Sequence, residues 1–163
     1  MSKFGFLLVI SIVFLFSNTS FASEAKCQAI AQREYPNDVR MQQYVLNKQV
    51  TAYRYMTTVA DQDVKKIALR EYPEDYSMQK YVYDKQSAAK RYMTTVTDRE
   101  VNEISLREYP YDYSMQKYVY DKQLSAKNYM NAMSSSSAKS KAQREYPNDF
   151  SMQKYIYDKE LAR

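Results

Sequence analysis

The sequence predicts an all-α protein built from tandem helical hairpins with a period of 37 residues, forming a short α-solenoid or compact helical array. Three observations carry this. Arg-Glu-Tyr-Pro occurs at Arg33–Pro36, Arg70–Pro73, Arg107–Pro110 and Arg144–Pro147, each copy offset by 37 residues with no insertion. The match continues downstream through Asp38, Asp75, Asp112 and Asp149, the methionines Met41, Met78, Met115 and Met152, the tyrosines Tyr44, Tyr81, Tyr118 and Tyr155, and Lys48, Lys85, Lys122 and Lys159. Within a copy the apolar residues recur at helical spacing.

The long helix of each unit is read from Met78, Val82, Ala89, Tyr92 and Val96, which a turn of about 3.6 residues gathers on one side. Asp75, just after Pro73, is placed to cap its free N–H groups. Lys85 falls in the gap of the stripe, so its stem is expected to pack while its ammonium reaches solvent or a carboxylate. A shorter helix follows. Thr97 and Glu100 have capping-box spacing, Val101, Ile104 and Tyr109 supply an apolar side, and Pro110 closes the segment. The third short helix is degraded: Ser134–Ser137 form a serine run, and Lys141 stands where the earlier copies have Ile67 and Ile104. It is expected to be the least stable element. The helix–turn–helix repeat is architecturally analogous to tetratricopeptide arrays, but the period is longer and the tryptophan and glycine of that pattern are absent, so the analogy implies no functional residues.

The opening stretch reads as a cleavable signal peptide over residues 1–22: Lys3, an apolar run from Phe4 to Phe16, and small residues at Ser20 and Ala22. The run is too short for a transmembrane anchor, which needs about 20 residues. The remaining 23–163 form the repeat domain, with units starting near 33, 70, 107 and 144 and the last one truncated. Loss of Lys3 lowers the net charge from +5 to +4, a mild bias towards anionic surfaces. The expected location is exported, periplasmic or secreted by a bacterium.

Composition narrows the chemistry. There is no histidine for acid–base work near neutral pH, no glycine-rich phosphate cradle and a single cysteine, Cys27, so neither an intrachain disulfide nor a thiolate zinc site is available. Cys27 is read as a small apolar helix residue, with pairing to a second chain as the alternative. One methionine per copy raises soft-metal binding, since thioethers suit Cu(I), yet their place on the core stripe favours packing, and no cofactor or metal is expected. Carboxylates such as Glu71 and Asp75 recur in every copy, which favours structural use over paired-acid hydrolysis.

The candidate binding residues form a second aromatic stripe. Advancing about 100° per residue, Tyr76, Lys80 and Tyr83 lie nearly opposite Met78 and Val82, and Tyr113, Lys117, Tyr120 and Phe150, Lys154, Tyr157 repeat the pattern. The first copy carries Val39, Gln43 and Leu46 there. Two readings compete: a second packing face, or an exposed surface that engages a partner through ring contact and charge. The leading functional expectation is a non-enzymatic exported repeat protein that binds a protein or cell-envelope component, with a glycan as a further partner class and nucleic acid disfavoured by export and modest charge. A structural or self-assembling component ranks second, and a carboxylate-based hydrolase third.

Overall fold

A computed structural model describes residues 23–162; the leader expected over residues 1–22 lies outside them. The described chain is all-helical. Residues 23–34 form α1, followed by α2 (Val39–Thr58), α3 (Gln62–Glu71), α4 (Tyr76–Met93), α5 (Arg99–Glu108), α6 (Tyr113–Ala132), α7 (Ser137–Glu145) and α8 (Phe150–Leu161). No strand occurs among the described residues, and no helix among them is long and apolar enough to cross a membrane.

Each long helix begins at the expected aspartate. The Asp38 carboxylate accepts from the Met41 N–H at 3.0 Å, and Asp75, Asp112 and Asp149 accept from Met78, Met115 and Met152 at the same distance. These bonds satisfy backbone donors that a helix start otherwise leaves orphaned. Each short helix ends at the tyrosine of Arg-Glu-Tyr-Pro, where Tyr72, Tyr109 and Tyr146 leave helical geometry and the proline prevents continuation.

The chain divides into two compact units, one ending at Tyr83 and the other beginning at Asp84, so that α4 contributes to both. In the first unit, Ile30, Ala31 and Val45 form an apolar cluster with Leu46 against it. The second unit contains a cluster of Val101, Ile104, Val119, Tyr120, Ala126 and Phe150, and another of Met130, Ala142 and Tyr157. There α6 packs against α5 and α8, and α7 packs against α8.

Buried glutamines tie consecutive long helices together inside each unit. In the first, the Gln49 amide donates to Asp75 Oδ1 at 2.9 Å while its oxygen accepts from the Ser77 N–H at 3.1 Å. In the second, Gln86 does the same for Asp112 and Ser114, at 2.8 and 3.1 Å, and Gln123 for Asp149 and Ser151, at 2.9 and 3.1 Å. A second set of glutamines, Gln42, Gln79, Gln116 and Gln153, reaches back from the first turn to the carbonyls of Tyr35, Tyr72, Tyr109 and Tyr146. Each of these amides donates to the carbonyl and so fixes the turn between short and long helix, although the Gln79 oxygen is buried with no hydrogen-bond partner among the described residues.

Several local expectations are corrected. The α5 cap is Asp98, not Thr97: its carboxylate accepts from the Val101 N–H at 3.1 Å. The residue buried in the gap of the α4 stripe is Gln86, while Lys85 is exposed. Tyr109 is exposed as well, so Val101 and Ile104 alone form the apolar side of α5. The four repeated methionines are half-buried at the edge of the core. The third short helix forms, capped by Ser136 within the serine run. It docks through Ala142, fully buried, and through an ion pair between Lys141 and Glu160 at 2.9 Å.

Small residues set the closest approaches. Ala31, Ala68, Ser105 and Ala142 each stand two positions before the arginine of Arg-Glu-Tyr-Pro, and all are 0% exposed. Cys27, Val64 and Val101 share another position in the 37-residue register and are equally enclosed. Cys27 therefore fills a small apolar slot. Burial, followed by the neighbouring Glu24 charge, raises its thiol above the usual range.

Candidate functional site

The second aromatic stripe is brought together by the fold, but as packing. Tyr83, Tyr120, Phe150 and Tyr157 are buried, and Tyr76 and Tyr113 are half-buried. The Tyr83 hydroxyl accepts from the backbone N–H of Asp61 at 3.3 Å, and Tyr120 does the same for Asp98 at 3.2 Å. Both phenols thus serve the N-termini of short helices. Their rings meet other tyrosines edge-on: Tyr55 against Tyr83 at 6.0 Å between centroids, Tyr92 against Tyr120 at 6.3 Å, and Tyr129 against Tyr157 at 6.2 Å. Tyr76 packs edge-on to Tyr53 at 5.0 Å, and burial first, then the nearby Cys27, raises its phenol pKa.

The lysines of this set are also engaged. Lys80, Lys117 and Lys154 stand over the rings of Tyr55, Tyr92 and Tyr129, at 4.4, 4.3 and 4.4 Å from the centroids. Lys117 further pairs with Asp121 at 2.5 Å, Lys154 with Asp158, and the same carboxylates accept from Tyr92 at 2.5 Å and Tyr129 at 2.8 Å. The hydrogen bond to Asp121 pushes the Tyr92 phenol up to about 12. Burial raises the Asp121 pKa, but hydrogen bonds from Lys117 and Tyr92 outweigh it and leave the carboxyl below its ordinary value. Of the two readings of this stripe, the second packing face describes Tyr83, Tyr120, Phe150 and Tyr157, while Tyr76 and Tyr113 are half-buried and the Lys117 and Lys154 side chains remain 42% and 41% exposed.

What faces outward is a different pair in the same helices. Tyr44, Tyr81, Tyr118 and Tyr155 are 57–61% exposed, and Lys48, Lys85, Lys122 and Lys159 follow four residues later, one helical turn along. Among the described residues, Lys48 and Lys122 make no ion pair, while Lys159 lies 5.9 Å from the Tyr155 ring centroid. The signal was present in the repeat itself. Tyrosine and lysine stand at these two positions in all four copies, whereas the second stripe varies between Tyr, Phe, Val and Leu, and its Val39 is exposed.

Beside these residues run two grooves of matching chemistry, one in each compact unit. In the first unit, α2 and α4 enclose about 430 Å³ lined by Tyr44, Asn47, Lys48, Thr51, Ser77 and Lys80 above Ala52. In the second, α6 and α8 enclose about 250 Å³ lined by Lys122, Ser125, Ser151 and Lys154 above Ala126. The shared positions are 74 residues apart, twice the sequence period. The Ser77 and Ser151 hydroxyls are buried without a hydrogen-bond partner among the described residues.

No cluster of metal-binding side chains occurs among the described residues. Asp75, Asp112 and Asp149 are engaged as helix caps. Comparison with known protein families, curated proteins and solved structures finds no match.

Proposed function

We propose that the chain is an exported, non-enzymatic helical repeat protein, periplasmic or secreted, that binds a macromolecular partner through its outward tyrosine–lysine positions. In this reading each 37-residue unit is a long helix, a tight turn and a short helix, and the copies stack as a short α-solenoid or compact helical array. The recurrence of the Gln49–Asp75, Gln86–Asp112 and Gln123–Asp149 bonds at the sequence period supports the stacking. Export rests on the leader-like character of residues 1–22.

One observation carries the binding reading: four tyrosines at equivalent positions, each more than half exposed and each followed by a lysine one turn on. Large aromatic side chains held in water by a folded chain are costly to keep and well suited to contact a partner, since a ring supplies area at little entropic cost. The repeat presents that contact several times, which raises avidity for an extended partner. Self-assembly through Cys27 draws no support, because the thiol is enclosed.

The test is photocrosslinking in the producing cell, with a photoactivatable phenylalanine analogue replacing Tyr81 or Tyr118 and, as a control, the buried Tyr83 or Tyr120. Discrete adducts from the first pair in the exported fraction, absent from the second, support the reading. A chain that stays in the cytoplasm, or outward positions that yield no adduct, overturn it.

A further inference from the structure

Resting on the reading that the outward tyrosines meet a partner, we infer that this partner is a second copy of the chain, joined to the first by oxidative coupling of exposed phenols into dityrosine. Tyr44, Tyr81, Tyr118 and Tyr155 are each more than half exposed, and Tyr111, on the turn before α6, is 76% exposed. Their hydroxyls make no hydrogen bond among the described residues. Coupling needs an open ring carbon ortho to the hydroxyl, and these five rings offer one to solvent. Tyr83, Tyr120 and Tyr157 do not, because they are buried and meet Tyr55, Tyr92 and Tyr129 edge-on. Access to the ring therefore selects which tyrosines couple.

The rest of the chain leaves an oxidant few other targets. Tryptophan and histidine are absent from the sequence, Cys27 is fully enclosed, and every described methionine is buried or half-buried. The thiol and thioether groups that oxidants attack first when accessible are thus withdrawn from the surface. Enclosure of the single cysteine also removes a disulfide as a covalent link between copies. The exposed phenols are the side chains left to form one.

The step balances with a peroxide as oxidant, acting through a haem peroxidase. Each of two phenols gives up its O–H proton and one electron, and hydrogen peroxide takes both pairs and leaves as two waters. The two ring radicals join through their ortho carbons, and the hydrogen on each of those carbons moves to its oxygen, restoring both hydroxyls. Within either compact unit none of the five rings packs against another, so the second ring comes from another chain. The first unit carries Tyr44 and Tyr81, and the second carries Tyr111, Tyr118 and Tyr155. A chain with a single site stops at a dimer, whereas several sites per chain let coupling continue into a network.

The experiment treats the native full chain with a haem peroxidase and hydrogen peroxide. A series of species larger than a dimer is expected on a reducing, denaturing gel, with dityrosine links mapped by mass spectrometry to the five exposed positions. The variant Tyr44→Phe/Tyr81→Phe/Tyr111→Phe/Tyr118→Phe/Tyr155→Phe keeps the rings, removes the phenols, and is expected to lose the series with an unchanged thermal melt. Chain recovered from the exported fraction of producing cells grown with peroxide is expected to carry the same links. Failure to grow past a monomer, a series that persists in the variant, links at Tyr83 and Tyr120 as frequent as those at Tyr81 and Tyr118, or recovered chain without dityrosine overturns the inference. If photocrosslinks from Tyr81 and Tyr118 hold other molecules and never a copy of this chain, this inference alone falls. If those positions give no adduct at all, the underlying reading falls as well.

Discussion

Gln86 and Asp112 stand 26 residues apart and share a 2.8 Å hydrogen bond that joins the C-terminal half of α4 to the first residue before α6. The other end of the same amide accepts from the Ser114 N–H, so one buried side chain both holds the capping carboxylate and satisfies a helix-start donor. Gln86→Leu keeps the volume and removes both bonds. The expected cost is about 1–3 kcal/mol, because the Ser114 N–H is left without a partner. Urea unfolding checks this, with the exposed Lys85→Gln expected to change stability by less than about 0.5 kcal/mol.

Tyr92 donates to Asp121 at 2.5 Å, and that bond holds its phenol near 12, above the usual 10. A raised folded pKa favours the protonated form, so this contribution to stability is complete below about pH 10 and is lost as pH rises through about 12. Tyr92→Phe is expected to remove the corresponding part of the alkaline destabilisation. Chemical denaturation of both proteins at several alkaline pH values is the check.

Lys127 bridges α6 to the start of α5, contacting Asp98 at 2.8 Å and Glu100 at 2.8 Å. Burial pushes the Asp98 carboxyl up, but hydrogen bonds from Lys127 and the Val101 N–H prevail and hold it below its ordinary value. A depressed folded pKa gives stability that is present above the unfolded carboxylate pKa of about 3.9 and lost as pH falls through the folded one. Lys127→Met is therefore expected to move the acid-unfolding midpoint to higher pH. A midpoint equal to that of the parent protein removes the bridge from the account.

Cys27 is expected to resist an aromatic disulfide reagent in the native protein and to react fully in denaturant. Its full enclosure and raised thiol pKa both suppress the thiolate. Rapid native-state labelling contradicts the enclosed slot that it shares in register with Val64 and Val101.

Helices were legible in the sequence wherever the determinants are local. The aspartate after each Pro, the proline that stops each short helix and the apolar spacing of Val82 and Ala89 all act within a turn or two. The roles assigned to single polar side chains were less so. Nothing in the residues next to Gln86 signals its burial, because its partners lie at a helix N-terminus 26 residues later. Asp98 rather than Thr97 caps α5, where Lys127, 29 residues on, fixes the carboxylate. Tyr83 and Tyr81 are chemically identical and two positions apart. One hydroxyl finds the Asp61 N–H and the other ring stays in water, a distinction made by the neighbouring helices.

Covalent footprinting separates those two tyrosine sets most directly. In hydroxyl-radical labelling of the native protein read by mass spectrometry, Tyr44, Tyr81, Tyr118 and Tyr155 are expected to label quickly, and Tyr83, Tyr120 and Tyr157 to be protected until the chain unfolds. Labelling of Tyr83 and Tyr120 as fast as that of Tyr81 and Tyr118 contradicts the assignment of one set to packing and the other to a partner.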